Sequence, residues 1–131
     1  MGFISNLLKK GSDRKAEKSK CANCAVLENN FIGGIENPRW EEVKRYLDMM
    51  FQDDEEFVTL TLVEAVDGVR FMQARSAQSG YTVELGIEDE SGVSVIETKC
   101  DKKAVQKHFK EFFTCGKVAD RDKFTPTEFT L

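Results

Sequence analysis

Glu56-Phe-Val-Thr-Leu-Thr-Leu-Val-Glu-Ala-Val-Asp-Gly-Val-Arg-Phe-Met-Gln-Ala-Arg75, followed by Tyr81-Thr-Val-Glu-Leu-Gly-Ile-Glu88 and Val93-Ser-Val-Ile-Glu-Thr-Lys99, decides the fold. The first run is β-branched and apolar, with Thr59 and Thr61 alternating against Leu60 and Leu62. Asp67-Gly68 between Val66 and Val69 predicts a type I′ hairpin, the tight turn whose two central residues both need positive φ. A plain two-residue hairpin would set Leu62 opposite Gln73 and Val63 opposite Met72, which mixes apolar and polar on each face and leaves room for a bulge. Tyr81, Val83, Leu85 and Ile87 alternate with Thr82, Glu84, Gly86 and Glu88, predicting a strand with one buried and one wet face. Short turns at Ser76–Gly80 and Asp89–Gly92 complete a four-stranded antiparallel meander.

Helical patterns lie on both sides of this block. Trp40, Val43, Leu47 and Met50, with Tyr46 beside them, recur at helical spacing after Asn37, read as the N-cap, and Pro38, read as the first helical position. Downstream, Asp101 is placed to cap a helix whose stripe is Val105, Phe109 and Phe112, and Gly116 to stop it. The expected fold is therefore α+β: a four-stranded antiparallel meander flanked by an N-terminal and a C-terminal helix, in the order α-β-β-β-β-α. Both stripes read as core packing. His108, the only histidine, borders the second stripe and reads as a packed side chain rather than a catalytic one. Phe124 and Phe129 are expected to anchor the polar tail, which could add a short edge strand near Pro126.

Residues 1–36 read as a basic arm leading into a domain over 37–131. Phe3, Ile4, Leu7 and Leu8 fall on one side of a short helical stretch followed by Lys9 and Lys10, a pattern that could touch a membrane surface or a partner's groove. Cys21-Ala-Asn-Cys24 has the spacing of half a zinc site or of a redox pair. It follows a lysine-rich linker rather than a strand, which weakens the redox reading. Cys100 and Cys115 flank the second helix, and a 1.5 Å rise per residue would separate them by roughly 20 Å, too far to complete one site. Zinc at Cys21 and Cys24 thus remains one alternative beside incidental cysteines.

Charge divides the chain. Residues 1–20 carry six Lys/Arg against two Asp/Glu, and the whole chain has a net charge of −4, which leaves eight excess negative charges on the remainder. An acidic domain disfavours nucleic acid as a ligand and leaves a basic protein partner open. No apolar run approaches the ~20 residues of a spanning helix, and no secretory-signal pattern opens the sequence, so the expected location is the cytoplasm. No phosphate loop, dinucleotide fingerprint or nucleophile elbow occurs.

The candidate partner-binding residues are of two kinds. Gln73, Arg75 and Glu84 interrupt the apolar strands and could cluster on the sheet face that helices leave bare, as a docking platform or as routine cross-strand charge pairs. Asp53, Asp54 and Glu55 form an acidic knob after the first helix. These support a non-enzymatic protein-binding module. The alternatives are a metal-linked or redox adaptor through Cys21 and Cys24, and a small-molecule binder or enzyme with a pocket between sheet and helices. Asn37-Pro-Arg-Trp-Glu-Glu-Val, Phe71-Met-Gln-Ala and Tyr81-Thr-Val-Glu-Leu, in that order, resemble small domains of the immunity-protein group of bacterial polymorphic-toxin systems. That resemblance implies a non-catalytic role, binding and blocking a cognate toxin.

Overall fold

Asp67 and Gly68 have φ of 52° and 81°, the pair of positive values that a type I′ turn requires. The computed structural model describes residues 24–30, 33–53, 56–118 and 120–127. Within them the turn joins two long strands, β3 (Phe57–Val66) and β4 (Val69–Ala77), and the meander continues through β5 (Gly80–Asp89) and β6 (Gly92–Cys100). These four are consecutive antiparallel neighbours, as the alternating sequence predicts.

The sheet is wider than four strands. Two more precede the first helix, β1 (Ala25–Asn29) and β2 (Ile35–Glu36), and a seventh, β7 (Thr125–Pro126), follows the second. The order across the sheet is β2-β1-β3-β4-β5-β6-β7, antiparallel throughout. The arm inferred for residues 1–36 therefore has to give up its last part. Ala25, Leu27 and Asn29 are buried on β1, and Leu27 is fully enclosed. Residues 1–23, with Phe3, Ile4, Leu7, Leu8 and Cys21, lie outside the described residues, as does Phe129. Both outermost strands are two residues long, which limits the exposed edge that the sheet offers to other strands.

The two helices, α1 (Trp40–Gln52) and α2 (Lys102–Cys115), cover one face. Val43, Tyr46, Leu47 and Met50 from α1 and Val105, Phe109 and Phe112 from α2 pack on Leu27, Val58, Leu60, Met72, Ala74, Val83 and Leu85 of the strands. Trp40 at the start of α1 lies 5.8 Å from Phe113 near the end of α2, so the helices run antiparallel. The expected caps hold for α2: Asp101 accepts from the Ala104 amide at 2.9 Å, and Gly116 closes the helix with φ of 73°. They fail for α1, which begins two residues late. Asn37 instead takes a left-handed conformation (φ 52°), and its amide donates to the Ala25 carbonyl at 2.8 Å, tying the chain to β1. Arg39 is the N-cap residue. Its side chain holds no acceptor, so the cap works in one direction: Glu42 Oε1 accepts from the Arg39 amide at 2.8 Å.

Candidate interaction surface

On a strand, alternate side chains face opposite ways, so the partners of the buried residues must point to the helix-free face. Register aligns them into rows. Glu28 stands opposite Thr59, Thr59 opposite Gln73, Gln73 opposite Glu84, Glu84 opposite Glu97, and Glu97 opposite Thr125. Side chains in this row are bonded to one another. The Thr59 hydroxyl donates to Gln73 Oε1 at 2.7 Å, and Gln73 Nε2 donates to Glu84 Oε1 at 3.0 Å. Arg75, one step along β4, reaches Glu84 Oε2 at 3.4 Å and lies 3.9 Å from Glu97 Oε1. Glu84 and Glu97 are directly opposed like charges, an unfavourable pairing that the shared guanidinium offsets. Gln73, Arg75 and Glu84 thus come together on the bare face. Thr59, Glu97 and Glu28 complete the row. Their membership depends on which residues the strands bring level, and β1 and the bulged β3 hide that register.

The neighbouring row is largely apolar: Val26, Thr61, Phe71, Gly86 and Val95. A Cβ on Gly86 would sit 2.1 Å from the Phe71 ring, so the glycine is what lets that ring lie across the strand. Val63 and Val93 are the exposed large apolar side chains among the described residues.

Arg70 sets where these rows begin. Thr61 faces Phe71 and Val66 faces Val69, so four residues of β3, 62–65, stand opposite Arg70 alone. On the other side Val69 faces Ile87 and Phe71 faces Gly86, which leaves Arg70 without an opposite number on β5. A bulge is therefore present on β3, and a second one adjoins it on β4. This double irregularity allows both Val69 and Met72, three residues apart, to be buried. It also frees carbonyl groups, and the Arg70 side chain takes them up. Its Nη1 donates to Leu62 O at 3.2 Å and to Val63 O, while Nε and Nη2 clasp Glu88 at 2.8 and 3.0 Å.

Other candidates lie elsewhere. Asp53 ends α1, in the helix layer rather than in the row; Asp54 and Glu55 are outside the described residues. Glu56 is buried, and burial, reinforced by Asp53, raises its carboxyl above the ordinary range. Cys24 is exposed just before β1, where its carbonyl accepts from the Val63 amide at 2.8 Å. Among the described residues, no three of His, Cys, Asp and Glu gather as a metal would require. The space between sheet and helices is filled by Tyr46, Leu60, Met72, Leu85, Phe109 and Phe112, all less than 2 % exposed. No described helix is long and apolar enough to cross a membrane.

No protein-family model, curated protein or solved structure matches this chain.

Proposed function

We propose that this protein is a non-enzymatic binding module whose helix-free sheet face takes a protein partner. The observation that carries the reading is the bonded row Thr59–Gln73–Glu84 with Arg75 on Glu84 and Glu97. Side chains fixed on rigid strands lose little freedom on binding, which favours recognition. The adjoining Phe71 and Val95 supply apolar surface beside that polar pattern, the mixture that partner surfaces use. The row carries Glu28, Glu84 and Glu97 against Arg75, so a partner presenting cationic side chains complements it. Inhibition of a toxin is the form of this role that the immunity-protein resemblance suggests, carried out in the cytoplasm.

The test uses the full chain as bait in its native cell, followed by affinity measurement with the purified partner. Arg75→Ala and Glu84→Ala on the bare face should each weaken that complex at least tenfold. Lys44→Ala and Asp48→Ala, at exposed positions of α1, should leave it unchanged. Wild-type affinity in both sheet-face variants, or loss confined to the α1 variants, would overturn the reading. Co-expression with a toxin identified in this way should restore growth only while Arg75 and Glu84 are intact.

A further inference from the structure

The segment after α2 returns to the sheet as a strap. It turns at Asp120, which holds a left-handed φ of 58°, passes through a single 3-10 turn at Arg121–Lys123, buries Phe124, and ends in β7 against β6. Arg121 Nη1 donates to the Asp67 carbonyl at 2.7 Å, and the Thr127 amide donates to Val95 O at 3.1 Å. Two residues pair with the sheet, Pro126 with Ile96 and Thr125 with Glu97. Phe124 is the strap's one buried apolar side chain among the described residues.

Phe124 rests on an unusual neighbour. The His108 ring meets it edge to face, with centroids 5.6 Å apart and planes at 75°. His108 is itself buried, at 9 % exposure, and its Nδ1 is enclosed with no hydrogen-bond partner among the described residues. A neutral imidazole tolerates this site, because one nitrogen can remain an unprotonated acceptor. An imidazolium does not, since both nitrogens then carry protons and a full charge needs solvation or a counter-ion.

The charged groups around the ring come from α2 and from the strap. Glu111 and Asp120 favour the protonated ring, and Lys107 opposes it. Burial outweighs the two carboxylates and holds the imidazole below the ordinary histidine range. Both carboxylates act on the seated ring, yet too weakly to offset its burial.

We propose that His108 and Phe124 form an acid-released latch: protonation drives the imidazole out from under the phenyl ring towards solvent, and the strap from Asp120 to Thr127 lifts off β6. The proton comes from solvent and no covalent bond changes. Release exposes the Ile96–Glu97 edge of β6 and the end of the polar row at Glu97. Acidification therefore alters the sheet's β6 side while leaving the β3–β5 centre intact.

Amide hydrogen exchange on the full chain tests this, with protection corrected for the intrinsic pH dependence of exchange. Between pH 7.5 and 5.0 the Thr127 amide should lose at least tenfold in protection, while amides of β4 and β5 hold theirs. In His108→Phe, which keeps a ring against Phe124 but cannot titrate, the Thr127 amide should show no such loss. Equal protection at both pH values, an equal loss in the variant, or a parallel loss in β4 and β5 would overturn the latch. Should the variant fail to fold, NMR on the wild-type chain decides. Phe124 ring signals must follow the same titration curve as the His108 ring, and a Phe124 signal indifferent to that curve would overturn the proposal.

Discussion

Arg70 and His108 each bring polar nitrogens into a packed region, and the two regions treat them in opposite ways. The guanidinium of Arg70 has both of its functions occupied, closing the carbonyls freed by a bulge and clasping Glu88 with two bonds. The imidazole of His108 has a phenyl ring on its edge and an enclosed Nδ1 with no partner among the described residues. A fully satisfied group fixes one arrangement, because every alternative loses bonds. A group left partly unsatisfied tolerates a second arrangement, because little is lost on leaving. The β3–β4 end of the molecule is therefore built to stay, and the strap beside α2 is built to be conditional.

The largest expected effect is at the satisfied site. Arg70→Ala removes the donors to the Leu62 and Val63 carbonyls and leaves Glu88 without its clasp. Unsatisfied acceptors are costly, and the melting temperature should fall by roughly 5–10 °C. Arg70→Lys should recover little of the loss, since one ammonium cannot span two carbonyls and a carboxylate with the guanidinium's planar fork. A melting curve for Arg70→Ala that overlays the wild type would break the contrast between the two regions.

A smaller effect, of opposite design, is expected from His108. Its folded-state pKa is lowered chiefly by burial, against an unfolded value near 6.5. Above that pH neither state takes the proton and stability is flat. As pH falls below it, the unfolded chain protonates first, and stability declines until the folded chain also takes up its proton. Glu56 acts in the other direction. Its raised carboxyl pKa makes the folded chain the better proton acceptor as pH falls towards the ordinary carboxylate range, which adds stability there. Urea midpoints measured from pH 7.5 to 5.0 for wild type and His108→Phe separate the two. The wild type should lose ground relative to the variant below about pH 6.5. A constant difference between the curves would remove His108 from the account.

What the sequence makes legible follows the same division between local and non-local causes. Asp67-Gly68 declares its turn through backbone sterics alone, and Tyr81–Ile87 declares its faces by alternation. The Asp101 cap and the Gly116 stop likewise depend on neighbours within one helical turn. β1 is illegible for a different reason. Ala25-Val26-Leu27-Glu28-Asn29 does not alternate, since apolar Val26 faces outward and polar Asn29 inward, and five residues after a Cys-x-x-Cys and before Gly33-Gly34 carry little signal. Its partner β3 lies beyond α1, so the pairing that makes it a strand is not local. Asn37-Pro38 misleads because the cap pattern it satisfies is equally good turn chemistry, and the bond to Ala25 decides for the turn. On the candidate surface, Gln73, Arg75 and Glu84 stand out as polar residues in apolar strands. Thr59 and Glu97 do not, because threonine is an ordinary strand residue and Glu97 sits on a strand that alternates weakly. Arg70 carries a signal of its own, since an arginine beside a hairpin whose faces do not separate has carbonyls to satisfy.

The smallest expected effect on stability is at Arg75, and it separates a group that serves the fold from one that serves binding. Its side chain is 42 % exposed, and its guanidinium lies 3.4 Å from Glu84 and 3.9 Å from Glu97. Partly exposed pairs at such distances contribute little, because water and salt screen them and a long side chain must be immobilised. Arg75→Ala should move the melting temperature by about 2 °C or less, against the larger loss for Arg70→Ala. The two arginines lie five residues apart on one strand and each meets a glutamate of β5, so differing outcomes cannot be assigned to residue type or strand position. If Arg75→Ala proves as destabilising as Arg70→Ala, the row is part of the scaffold, and weakened partner binding in that variant would say nothing about recognition. If it is nearly neutral while binding falls tenfold, the row is maintained for contact with something other than the chain itself.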